Sequence, residues 1–172
     1  MKYRYALLFF FIGYLIQSTV MVHFSVFGVS PNLVLCLVIL FPFLYGGNQG
    51  MALGILFGLL QDLNFSLIIG PSAIGYLIVA LIMGYIKRLL YRESILTIFF
   101  AAAIGTTLYY TLYWIIITIF GGTYHYLYII KEIPILVFYH FLIMVVYYLL
   151  IGKKAIRFNQ DRYYKGNPYS YE

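Results

Sequence analysis

Apolar residues run through the chain in long blocks separated by short polar or glycine-containing stretches, and these blocks set the predicted elements. Tyr5 to about Phe27 is apolar apart from Gln17, Ser18, Thr19 and His23 toward its far end, which predicts a first span. A second run, Leu33 to Tyr45, follows Ser30-Pro31-Asn32. Proline suits a first helical turn, because the N–H it lacks would be unpaired there in any case. Gly46-Gly47-Asn48-Gln49 predicts a turn. Gly50 to Asp62 then predicts a short glycine-rich helix, Asn64 to Gly70 a connection, and Pro71 to Ile86 a further helix. Ser94 to Phe120 is apolar again, Gly121 to Glu132 reads as a tyrosine-rich connection, and Ile133 to Ile151 as the last span.

The count of crossings turns on the region from Pro31 to Asp62. It carries no charge before its last residue, and both of its runs are shorter than the roughly 20 residues of an upright span. Two short spans give six helices; a re-entrant hairpin gives four. Six is the preferred count, since irregular backbone at membrane depth has to be buried in protein.

Within this region Gly46, Gly50, Gly54, Gly58 and Asp62 recur at intervals of four. Positions four apart drift slowly around one side of a helix, so they form a nearly continuous stripe without bulk. In lipid such a stripe lets a second helix backbone approach closely enough for dispersion to hold the pair. Two readings stay open: a dock for a partner helix, or packing inside the bundle. Asp62 is the first carboxylate of the chain, and a charge at membrane depth costs about 2.5–3.5 kcal/mol on insertion scales unless paired or solvated. It either meets a basic group of a partner or caps the helix that follows. Pro31 and Asn32 read as the opening turn of the second helix.

Composition fixes the class. Hydrophobic residues make up 64% and charged residues 9% of the chain, with a mean hydropathy of +0.94, against about 25% charged in ordinary soluble domains. This predicts an all-α integral membrane protein with one bundle, residues 1–152, and a basic tail, 153–172. The net charge of +6 sits in short flanks of apolar runs, so it orients the chain and touches anionic lipid and does not indicate nucleic acid. Lys2, Arg4, Lys87, Arg88, Arg92 and the tail predict both termini and the 87–92 loop in the cytoplasm, with Lys131 on the other side. The start resembles a signal peptide but lacks a convincing small-x-small cleavage site, which predicts a retained first helix. Cys36 is the sole cysteine, so no disulfide or cysteine metal site forms within the chain.

Pro31-Asn32-Leu33, then Gly46, Gly50-x-x-x-Gly54-x-x-x-Gly58-Leu59-Leu60-Gln61-Asp62, and Gly70 before the next helix resemble the core of the MreD family of rod shape-determining proteins. Over residues 1–30 and 87–172 the resemblance is one of hydropathy alone. It implies a bacterial inner-membrane protein of about six helices without known catalytic activity and without a cofactor. It also implies a partner, MreC, in the machinery that links MreB filaments to the enzymes of peptidoglycan synthesis. The family's fold is similar to the substrate-binding subunits of energy-coupling-factor vitamin transporters, and fold kinship does not carry function across.

Three other chemistries have sequence candidates. Ser72 at a helix start and His140 in the last span invite an intramembrane protease, which needs the imidazole within reach of the hydroxyl. Ala73 stands where the rhomboid-type motif has glycine, and Tyr139 and Phe141 flank the histidine with bulk, so His140 reads instead as an interhelical hydrogen-bonder. His23 and His125 are the candidates for a haem or metal ligand pair. The transporter-subunit alternative calls for an outward cavity, to which Gln17, Gln61, Asn64 and His125 could contribute. Against it, the first helix lacks the small-xxx-small patch of such subunits, Ala6 being followed four residues on by Phe10. No phosphate loop, paired catalytic carboxylates or metal-spaced His/Cys set appears in the sequence.

Overall fold

The structure, a computed structural model, describes residues 3–21, 28–45, 47–66, 68–89, 94–123 and 125–165; side chains at 3, 47–49, 88–89 and 151–165 are outside that description. Six α-helices are present among the described residues: α1 (Tyr3–Ile16), α2 (Leu33–Tyr45), α3 (Gly47–Phe65), α4 (Pro71–Leu89), α5 (Ile95–Ile119) and α6 (Tyr126–Lys165). A π-helical turn, Gln17–Met21, continues α1. Among the described residues, three stretches are long and apolar enough to cross a membrane: Arg4–Met21, Ile95–Ile119 and Tyr126–Leu150.

The bundle is built around α2. All 13 of its residues are buried, and it touches each of the other five helices. That explains a sequence with no polar face: a helix apolar all round belongs inside a bundle or in lipid. At about 1.5 Å per residue α2 is only about 20 Å long, well short of a hydrocarbon core of about 30 Å. Consecutive helices alternate in direction. Phe10 meets Phe41, and Gln17 reaches Val34, so α1 and α2 run antiparallel. Trp114 packs at a tilt against Tyr126 and Phe99 edge-on against Phe141, which sets α5 against α6 in the same way.

Several predicted boundaries move. The turn expected at Gly46 to Gln49 shrinks, because Gly47, Asn48 and Gln49 form the first turn of α3; Gly46 lies outside the described residues. Pro31 precedes the cap instead of opening α2, whose first helical residue is Leu33 behind Asn32. The connection expected over Gly121 to Glu132 is also shorter, since α6 already begins at Tyr126 and carries the exposed Lys131 and Glu132 in its early turns. Its backbone runs on as helix to Lys165, into the stretch expected to be tail. At the start of α5, Ser94 is the cap, accepting from Thr97 N while Thr97 Oγ1 accepts from Ser94 N.

Candidate functional site

The glycine stripe of α3 faces inward. A Cβ at Gly50 would lie 2.3 Å from Pro42 Cγ of α2, one at Gly54 would lie 3.4 Å from Tyr76 Cβ and 3.5 Å from Val38 Cγ2, and one at Gly58 only 2.6 Å from Ala73 Cα of α4. Bare backbone at these steps lets α3 lie against the Pro42 ring and the start of α4. At these three positions the bundle's own α2 and α4 lie against the stripe.

Asp62, at the end of the stripe, is fully buried. Its Oδ2 accepts from the N–H groups of Gly70 and Ser72, both at 2.9 Å, and Oδ1 lies 3.2 Å from Ser72 N. Gly70 stands at the N-cap of α4, at φ +123°, and its carbonyl accepts from Ile74 N. Glycine suits that left-handed backbone but has no side chain with which to cap. The carboxylate reaches across from α3 and supplies the missing acceptor, next to the positive end of the α4 dipole. Of the two roles open to Asp62, capping is the one its contacts fill.

The start of α2 presents the same problem at greater depth. Asn32 N donates to His140 Nε2 at 2.9 Å, and His140 is residue 15 of the 25 in the Tyr126–Leu150 stretch. The first turn of α2 therefore opens near the middle of the long helices, where an unpaired backbone N–H costs several kcal/mol. Side chains from three places satisfy it. Asn32 Oδ1 accepts from Leu35 N at 2.8 Å, Gln17 Oε1 accepts from Val34 N at 3.0 Å, and His140 takes the N–H of Asn32 itself.

These caps are joined to one another. Gln17 Nε2 donates to Gln61 Oε1 at 3.1 Å, the Tyr76 hydroxyl donates to the same oxygen at 2.6 Å, and Asn32 Nδ2 donates to Tyr76 Oη at 2.7 Å. Because His140 Nε2 accepts, a neutral ring carries its proton on Nδ1, which donates to Thr106 Oγ1 at 2.8 Å. Ser72 Oγ and Tyr109 Oη lie 3.1 Å apart, and Gly75 gives the Tyr109 ring room, at 3.0 Å from where a Cβ would stand. Every helix contributes to this buried polar layer: α1 through Gln17 in its π-turn, α2 through its cap Asn32, α3 through Gln61 and Asp62, α4 through Ser72 and Tyr76, α5 through Thr106 and Tyr109, α6 through His140.

Ser72 and His140, the protease candidates, are not paired with each other: the serine meets Tyr109, and both ring nitrogens of the histidine are taken. Of the four residues expected to line a transport cavity, Gln17 and Gln61 are bonded to each other and Asn64 donates to the Tyr14 hydroxyl and to Leu60 O. His125 is exposed, and His23 lies outside the described residues. Among the described residues no group of three or more His, Cys, Asp or Glu converges. A cavity of about 170 Å³ does open beside Asp62, lined by Ser72, Tyr109, Tyr110 and Tyr113 and reaching the half-buried Ser66.

Sequence reasoning singled out Pro31, Asn32, Gly46, Gly50, Gly54, Gly58 and Asp62 as partner-contact or helix-packing candidates, and it read His140 as an interhelical hydrogen-bonder, which its bonds to Asn32 and Thr106 make it. It did not single out Tyr76, Thr106 or Tyr109. The available signal was position: Tyr76 and Tyr109 sit well inside apolar helices, where a buried phenol needs a partner.

The family model for rod shape-determining protein MreD matches residues 2–157. Comparison with curated proteins and with solved structures gave no match.

Proposed function

The chain belongs to the MreD family of rod shape-determining proteins, and from that premise we propose that it is a non-enzymatic, multi-pass scaffold of the cell-elongation machinery in the bacterial inner membrane. Its partner in this reading is an MreC-like protein, through which it serves the MreB filament and the wall-synthesis enzymes, directly or indirectly. Six crossings with both termini in the cytoplasm are part of this proposal; the basic flanks support the orientation, and the alternating helices are compatible with the count. The likeness of the fold to energy-coupling-factor subunits is part of the same proposal and rests on the family resemblance.

The observation that carries the scaffold reading is how the buried polar groups are used. Ser72, His140, Gln17, Gln61 and Asp62 are the side chains that chemistry or transport would draw on, and each is committed to holding helix ends or neighbouring helices. What remains for partners is the outer surface, where Leu8, Leu56, Phe100 and Phe138 are exposed on four different helices. Since α2 and α4 fill the glycine stripe from Gly50 to Gly58, the proposed contact with a partner helix uses one of these outer faces.

The test places a photo-crosslinking residue at each of those four positions in living cells, with the buried Leu37 as control. Capture of an MreC-like protein from one face, together with rounded cells on depletion, is the expected result. Rod-shaped growth after depletion, or no capture from any face, would overturn the reading.

A further inference from the structure

Two polar groups of the buried layer have no protein partner among the described residues, and both line the cavity beside Asp62. The first is the amide nitrogen of Gln61. Val34 N donates to Gln17 Oε1, so Gln17 turns its own nitrogen toward Gln61 and has to meet an oxygen there. The Tyr76 hydroxyl donates to that same oxygen. This leaves Gln61 Nε2, with its two N–H groups, facing no acceptor from the described residues. The second is Tyr110. Its ring lies parallel to the His140 imidazole and edge-on to Tyr109, while its hydroxyl makes no hydrogen bond among the described residues.

The cavity decides what can meet these two groups. Its volume of about 170 Å³ is many times the roughly 10–15 Å³ that admits one water. Asp62 offers a ligand nothing further, because its oxygens hold the N–H groups of Gly70 and Ser72, so a cation finds no open carboxylate. An anion would lie beside that carboxylate with no lysine or arginine in the lining to offset it. An acyl chain would strand the Gln61 N–H groups and the Tyr110 hydroxyl at the depth of the polar layer, where water is otherwise scarce and unbonded polar groups are costly. Water accepts from the one and bonds the other. A route in exists as well: Ser66, half-buried, and Phe65, exposed, line the cavity where α3 ends and the turn to α4 begins. We propose that a cluster of water fills this cavity, exchanges with bulk through the mouth at the α3–α4 turn, and completes the polar layer by bridging Gln61 Nε2 and the Tyr110 hydroxyl. Asn32 also lines the cavity, so the inlet carries solvent as far as the cap of α2. The proposal does not depend on the scaffold reading, because it concerns the isolated protein.

The test is hydroxyl-radical footprinting of the purified full-length protein in lipid nanodiscs. A short X-ray pulse makes the radicals from water in place, and mass spectrometry reads tyrosine oxidation. Tyr110 should oxidise about tenfold or more faster than the buried Tyr45. Ser66→Trp fills the mouth and leaves the Asp62 bonds to α4 in place, so it should slow oxidation of Tyr110 about fivefold or more while the exposed Tyr128 is unaffected. Tyr110→Phe gives a second readout that does not rely on that variant folding. With water bonded to the hydroxyl, the phenylalanine protein should melt at or below the parent temperature; a raised midpoint means that the hydroxyl was stranded in a dry cavity and overturns the proposal. So does oxidation of Tyr110 no faster than that of Tyr45, or a lipid or detergent chain that native mass spectrometry finds retained and Ser66→Trp removes. Oxidation undiminished by Ser66→Trp overturns the inlet at the α3–α4 turn.

Discussion

The imidazole of His140 accepts the backbone N–H of Asn32 at 2.9 Å, tying the apolar part of the last helix to the first turn of the buried second one. A short helix that begins inside a bundle has donors that no preceding turn can satisfy. Importing an acceptor from a neighbouring helix solves this, and it makes a histidine that looks catalytic in sequence into a cap.

His140→Ala should therefore lower the unfolding midpoint and cellular level of the protein, since it strands a buried N–H at a cost of about 1–3 kcal/mol and removes packing as well. Ser72→Ala should be milder. The hydroxyl loses its contact with Tyr109, while the Ser72 N–H bonded to Asp62 is untouched. Thermal unfolding in detergent ranks the two, and cell shape supplies the functional readout. An abundant Ser72→Ala protein that fails to maintain rods would point to chemistry at that serine and count against the scaffold.

Asp62 gives a sharper contrast. Asp62→Ala leaves the N–H groups of Gly70 and Ser72 without the carboxylate that both use. The expected loss is about 0.5–2 kcal/mol, the range for removing a helix cap. Asp62→Asn keeps one acceptor oxygen and should lie between the parent and the alanine variant. Both should lower abundance while leaving capture of an MreC-like partner per folded molecule unchanged. A normal level combined with lost capture would instead mean that the acid meets the partner.

The topology is tested from the ends of α5. In a Cys36→Ser background, cysteine at Ser94 should label from the cytoplasmic side and cysteine at Thr123 from outside, because about 38 Å of helix separates them across about 30 Å of hydrocarbon. A third cysteine at Asn48 should label from the cytoplasm if α2 and α3 each cross. Ser94 and Thr123 labelling from one side would refute the arrangement.

How far the sequence reveals this architecture depends on the range of the interaction in question. The helical class is legible, since long apolar blocks in lipid can satisfy their backbone only as helices or closed barrels. The four-residue glycine spacing is legible for the same local reason: it says which side of α3 lacks bulk. What lies against that side is not local. Nothing near Gly58 in sequence announces that Ala73 will be its neighbour, fifteen residues on and across a turn. Gly47-Asn48-Gln49 reads as a turn because turn preferences are themselves local, whereas α3 is fixed by contacts such as that of Gly50 with Pro42. The polar layer is the least legible part. Its members come from six helices, and only their shared depth, fixed by packing, shows that they meet.

The glycine stripe itself yields a graded prediction, since the three described glycines differ in what stands opposite. At Gly58 an added methyl would lie 2.6 Å from Ala73 Cα and 2.8 Å from Ala73 N. Those are backbone atoms, so α3 and α4 have to separate, and the Asp62 cap one turn further on is strained with them. Gly58→Ala should cost about 1–3 kcal/mol or more, the range for overpacking. At Gly50 the obstacle is the Pro42 ring, 2.3 Å away and tethered to backbone at both ends, so Gly50→Ala should also destabilise. Gly54 is different. Its nearest neighbours would lie at 3.4 Å and 3.5 Å, which is ordinary contact, and replacing a mid-helix glycine by alanine gains roughly 0.5–1 kcal/mol of helix stability. Gly54→Ala should then be neutral or slightly stabilising, although Gly54→Leu overfills the same space. Thermal unfolding of the three alanine variants in one detergent gives the ranking. Equal midpoints for Gly54→Ala and Gly58→Ala would show that α3 and α4 do not approach as closely as 2.6 Å implies, and a stripe tolerant of alanine and leucine throughout would have to face lipid or a partner after all.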